Sequence, residues 1–161
     1  MGGGQQNGLR SGTLPVALCA GMGAAADILN AQETETEREN LRRLRNSFIA
    51  QLHDFPWNIS LNSPADIAHH PGNANMCFHG FSAHDILQML QPHLAASTGS
   101  ACTTGIPEPS HVLKAIGLSG EDAESSIRFS LGFHTTDEDI AQSVGLIGNA
   151  LERLTKTACS A

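Results

Sequence analysis

Two apolar stripes of helical period frame this sequence and narrow the folds open to it. Leu41, Leu44, Phe48, Ile49 and Leu52 recur at helical spacing, and so do Ile140, Val144, Ile147, Leu151 and Leu154. Between them lie short runs of strand character. "WNISLN" and "ANMCFHGF" read as two strands, "HLAAS" as a third, and "SSIRFSLG" as a fourth. The last of these puts Ile127, Phe129 and Leu131 on one face and Arg128 and Ser130 on the other. Amphipathic helices around one-sided strands predict an α/β (α+β) two-layer fold, a small and mostly antiparallel sheet covered by helices.

Punctuation between the runs supports this order. Thr36 and Glu39 form a capping-box pattern and predict the start of a long helix that ends near Phe55. Ser82 and Asp85 cap a short helix over "AHDILQML", Pro109 opens a helix closed by Gly117, and Thr136 with Asp139 begins the last one. Ahead of these, small and apolar residues from Pro15 to about Ala31 predict a buried helix. Its "GMGAAA" fits Gly-x-Gly-x-x-Ala, but no strand precedes it, so close helix packing is expected rather than dinucleotide binding. The glycine-rich start, "MGGGQQNGLRSGT", has loop chemistry throughout and predicts a strap.

The 161 residues suit one domain with a sizeable core. A formal net charge of −7 with no basic cluster beyond "RRLR" argues against a nucleic-acid partner. The apolar run after Arg10 is broken by Pro15, Gly21 and Gly23, so neither a secretory leader nor a membrane span is expected. Cys19, Cys77, Cys102 and Cys159 are too widely spread for a zinc knuckle or a disulfide scaffold, and a reducing cytoplasm is the expected setting. The eight histidines are scattered, and His69–His70 has no partner at ligand spacing. No metal site is expected.

Two residues have chemical promise by context. Cys102 sits between Gly99 and Gly105 among Ser100, Ala101, Thr103 and Thr104. A nucleophilic thiol needs exposure and a compliant backbone, and this loop offers both; an ordinary surface cysteine is the alternative. Cys19, Cys77 and Cys159 read as packing residues or part of a frayed tail. Arg128 stands inside an apolar strand, where a charge needs a partner: a ligand carboxylate or a structural salt bridge.

Four motifs, "GGGQQNGLRSGT", "SGSACTTG"-like "TGSACTTG", "EPSHVLKAIGL" and "SSIRFSLGFHTTDEDI", occur here in the order found in group I cysteine desulfurases. These are pyridoxal-phosphate enzymes of the class V aminotransferase type, and the chain resembles their C-terminal small-domain portion along essentially its whole length. The resemblance implies that Cys102 is the nucleophile that takes sulfur from L-cysteine as a persulfide while L-alanine leaves. It implies that Arg128 holds the substrate carboxylate, and that Thr13 reaches the cofactor phosphate of a neighbouring subunit. Asn75 matches more weakly and receives no role. Residues 1–14 would form the strap toward cofactor or partner subunit, and residues 15–161 the small domain. The large domain, with its Schiff-base lysine in a Ser-x-His-Lys motif, would be absent. Only Lys114 and Lys156 occur, neither in that motif. "GFHTT" also stands where the family commonly has Gly-Arg-Phe-Thr-Thr. The expected partners are L-cysteine, a sulfur-acceptor protein, and a complementary large domain or homodimer partner. A cofactor-free persulfide relay and an inactive remnant are the alternatives.

Overall fold

The computed structural model describes residues 3–63, 69–98 and 110–158. The chain divides into two compact units, Met1–Glu37 and Arg38–Ala161.

In the first unit a short 3-10 turn at Gln5–Gly8 is followed by helix α1, Val16–Asn30. Gln6 and Asn7 both lie at φ 54°, the left-handed region. The Gly12 N–H donates to Gln5 Oε1 at 3.2 Å and closes a local loop over residues 5–12. α1 forms where expected, but it is not buried: it has no buried residue, and Val16, Leu18, Met22 and Ile28 are all strongly exposed. A Cβ at Gly21 or Gly23 would meet nothing within 4 Å, so the expected close packing through "GMGAAA" is not present. Cys19, on this helix, is exposed rather than packed.

Helix α2, Gln32–His53, begins four residues before the Thr36 capping pattern. Thr34 explains the early start. Its backbone N–H bonds the carbonyl of Ala31 and its hydroxyl bonds that of Ile28, which closes the turn between the two helices.

The second unit is built on three antiparallel strands in the order β1 (Ile59–Leu61), β2 (Asn73–Phe78), β3 (Ser126–Ser130). Ile59 faces Phe78, Leu61 faces Met76, Met76 faces Ile127 and Ala74 faces Phe129. These apolar pairs share one face. It packs on Leu44, Phe48 and Leu52 of α2, on Ile86 and Leu90 of α3 (Ala83–Leu90), and on Ile140, Ile147 and Leu151 of α6 (Asp137–Ala158). Phe129 lies edge-on to Phe48 at 5.1 Å and to Phe78 at 6.3 Å between ring centres, near the middle of the core. The two-layer antiparallel architecture expected from the sequence is therefore present.

Two local expectations change. "HLAAS" is not a strand; only Ser97 pairs, through a single bridge to Arg128. A short helix α5, Gly120–Glu124, precedes β3 and was not anticipated. Ser119 caps it by accepting the Asp122 N–H at 3.0 Å. α4 (His111–Ala115) ends ahead of Gly117, whose φ of 95° suits glycine. Gly72 is required for a different reason. A Cβ there would overlap the carbonyl oxygen of Leu131 and come within 2.9 Å of Leu41 Cδ2.

Candidate functional site

The alternation that buries one face of the sheet makes the other face polar. Ser60 pairs with Cys77, Cys77 with Ser126, Asn75 with Arg128, and Asn73 with Ser130. Strand periodicity thus gathers polar residues from three distant stretches of sequence onto one surface.

Arg128 is exposed on this face and borders a cleft of about 380 Å³, together with Asn62, Asn75, Ser110, Leu113 and Ile116. The floor is ordered by amide contacts: Asn62 Nδ2 donates to Asn75 Oδ1 at 2.6 Å and to Ser126 Oγ at 2.8 Å. The Arg128 backbone is held on both sides by Ser97, with N–O distances of 2.7 and 3.1 Å. Among the described residues, the Arg128 side chain has no ion-pair partner. An exposed guanidinium beside polar amides and an apolar wall offers a cationic, hydrogen-bonding group to an anionic ligand.

Cys102 lies outside the described residues. Of the described residues nearest to it in sequence, Ser97 bridges Arg128 and Ser110 lines the cleft. Asn75, given no role from sequence, lines it as well. Thr13 lies in the first unit, exposed and next to Gly12.

Pyridoxal phosphate, the cofactor implied by the resemblance, requires a lysine positioned for a Schiff base. Lys114 is exposed in the last turn of α4, and Lys156 is exposed on α6 at 3.7 Å from Glu152; neither borders the Arg128 cleft. The residues present do not fit a site that would hold this group by themselves.

A second polar cluster lies at the other end of β2, and it was not foreseen. Cys77 Sγ is 3.6 Å from His79 Nδ1 and 3.8 Å from Asp122 Oδ1, and His79 Nδ1 is 2.9 Å from Asp122 Oδ1. His79 is the first residue past β2 and its ring turns to the same side as Cys77; the Cys-x-His spacing was the available signal, and Asp122 comes from the unanticipated α5. Burial pushes the Cys77 thiol up to about 11. The Ser119 hydroxyl, aided by His79, holds the Asp122 carboxyl below its ordinary range. Cys77 is therefore a protonated, buried thiol at neutral pH and not a ready nucleophile. In timed alkylation with limiting iodoacetamide, read by peptide mass spectrometry, it is expected to be labelled last of the four cysteines and to gain reactivity as pH rises toward 11. Rapid labelling of Cys77 at pH 7 in the folded chain would contradict this.

Among the described residues, no helix is long and apolar enough to cross a membrane. The family model for "Aminotransferase class-V" matches residues 3–142. "Cysteine desulfurase IscS" from Escherichia coli is 44% identical over 154 residues, covering 95% of this chain and 37% of that protein. The protein of the same name from Rickettsia akari is 39% identical over 155 residues, covering 96% of this chain and 37% of the relative. The solved structure of a NifS-like protein from Rickettsia africae superimposes with a TM-score of 0.78 at 25% identity, covering 94% of this chain and 39% of that one. The chain thus spans just over a third of the length of these relatives.

Proposed function

The chain belongs to the class-V aminotransferase family, and from that premise we propose that it is the sulfur-accepting part of a cysteine desulfurase. In this reading Arg128 binds the carboxylate of L-cysteine, and Cys102 receives its sulfur as a persulfide while L-alanine is released. The observation that carries the reading is the exposed Arg128, without an ion-pair partner among the described residues, at a cleft that Ser110 also lines. The Arg128 fork offers two parallel hydrogen bonds to a carboxylate. In this reading the Cys102 thiol takes sulfur from the bound substrate and then passes it to an acceptor protein.

Pyridoxal phosphate, held by another chain, would supply the electron withdrawal that this chemistry needs. Its lysine and most of its phosphate contacts would come from a complementary large domain or a partner subunit. Thr13 would add one hydrogen bond to the cofactor phosphate across a dimer, worth only about 1 kcal/mol net. Iron–sulfur cluster assembly, transfer-RNA thiolation and DNA thiolation are the sulfur destinations such a persulfide could serve.

The test combines the purified chain, pyridoxal phosphate and L-cysteine, with and without a separately expressed lysine-bearing large domain of an IscS relative. Alanine and sulfide are then assayed. The expected result is no turnover by the chain alone and turnover on mixing. Catalytic alanine release by the chain alone, or none in the mixture, would refute this division of labour.

A further inference from the structure

The cluster at the far end of β2 has a geometry that its hydrogen bonds do not by themselves demand. We propose that Cys77, His79 and Asp122 form a three-ligand site for a divalent transition-metal ion, with zinc the best match to the donor set. Each residue offers one donor atom, and all three lie within 4.8 Å of one another. A tetrahedral zinc with ordinary bond lengths sets its sulfur–nitrogen and sulfur–oxygen donors about 3.6 Å apart and its nitrogen–oxygen donors about 3.4 Å apart. The corresponding separations here are 3.6, 3.8 and 2.9 Å. Only the last must open, by about half an ångström, when a metal replaces the proton shared between His79 and Asp122.

The surroundings match those of a metal site. His79 Nε2 is 2.8 Å from Ser60 Oγ, which orients the ring with Nδ1 toward the cluster. The second carboxylate oxygen of Asp122 accepts from Ser119 Oγ at 2.8 Å, which leaves Oδ1 for the ion. The His79 and Asp122 side chains are 32% and 37% exposed, so an ion can enter from solvent, while Cys77 is fully buried beneath them. One thiolate, one imidazole and one carboxylate form a donor set that zinc accepts and that magnesium or calcium does not. Three protein ligands leave the fourth position to water. On binding, a metal–sulfur bond forms as the thiol S–H breaks and its proton passes to solvent; the imidazole proton moves from Nδ1 to Nε2, where it can be donated to Ser60 Oγ, and no oxidation state changes. The ion would clip α5 to β2, and α5 packs against α4, which borders the Arg128 cleft.

The test uses the full chain and cobalt(II) as the spectroscopic probe, followed by zinc competition. One equivalent of cobalt is expected to give a sulfur-to-cobalt charge-transfer band with intense four-coordinate visible bands, and zinc should remove both. Cys77→Ser should abolish the charge-transfer band, whereas Cys19→Ser and Cys102→Ser should keep it. Asp122→Asn, at a partly exposed position that leaves the buried thiol in place, should weaken affinity by at least ~10-fold. Circular dichroism establishes that each variant is folded. Should Cys77→Ser not fold, the Asp122→Asn and His79→Ala affinities decide. No cobalt bands with the unaltered chain, bands that persist in folded Cys77→Ser, or unchanged affinity in both Asp122→Asn and His79→Ala would each overturn the site.

Discussion

Arg128→Lys is expected to leave the melting temperature of the chain essentially unchanged while lowering kcat/KM for alanine release in the complemented enzyme on the order of 100-fold. The asymmetry follows from where the side chain sits. It is exposed on the polar face of β3 and makes no ion pair among the described residues, so folding asks little of it. Its backbone bonds to Ser97 are independent of the side chain. Lysine keeps the charge but loses the planar fork, so it can attract a carboxylate without fixing its orientation. Thermal melts and steady-state kinetics on the same preparation check both halves. A loss of several degrees would mean that the guanidinium is structural. Unchanged kinetics would remove Arg128 from the substrate site.

Phe129→Ala should do the reverse. It is expected to cost about 3–5 kcal/mol of stability, a large share of what a domain of this size has. Phe129 touches the rings of both Phe48 and Phe78, and so joins α2 to two strands. Alanine would leave a void bordered by rigid neighbours on three elements, which cannot all collapse inward. Urea denaturation gives the number directly. A cost below about 1 kcal/mol would show that the site relaxes and that this ring is not central to the core. Phe129 adjoins Arg128 in sequence yet points to the opposite face, so the two substitutions separate folding from binding within one strand.

Much of this was legible before any coordinates. The span of α3 matched its sequence prediction because Ser82 and Asp85 gave a cap and the apolar positions followed directly. β3 was legible because Ile127 and Phe129 alternate with Arg128 and Ser130. Other features were not. "HLAAS" has strand composition, but a strand needs a partner over several residues, and only Ser97 finds one. α5 has five residues, too few to show helical periodicity, though the Ser119–Asp122 spacing was a usable cap signal. For α1, hydrophobic content gave the helix but not its burial, because composition states a need for cover without naming what provides it. At the site, Arg128 was recognised from its awkward place in an apolar strand. Asp122 was invisible because its neighbours in space, Cys77 and His79, are more than forty residues away in sequence.

β2 is the central strand, and it writes two messages in one reading frame. Its even-numbered residues, Ala74, Met76 and Phe78, fill the core, while Asn75 and the buried Cys77 point to the opposite, polar face. A one-residue deletion inside it would exchange the two sets downstream, turning amide and thiol toward the apolar core and phenyl and thioether groups toward the polar face. Point substitutions can alter either message separately, but length changes corrupt both together. Insertions and deletions compatible with this fold should therefore fall in the turns on either side of Asn73–Phe78, and a library of single-codon deletions scanned for solubility should show β2 as its least tolerant interval.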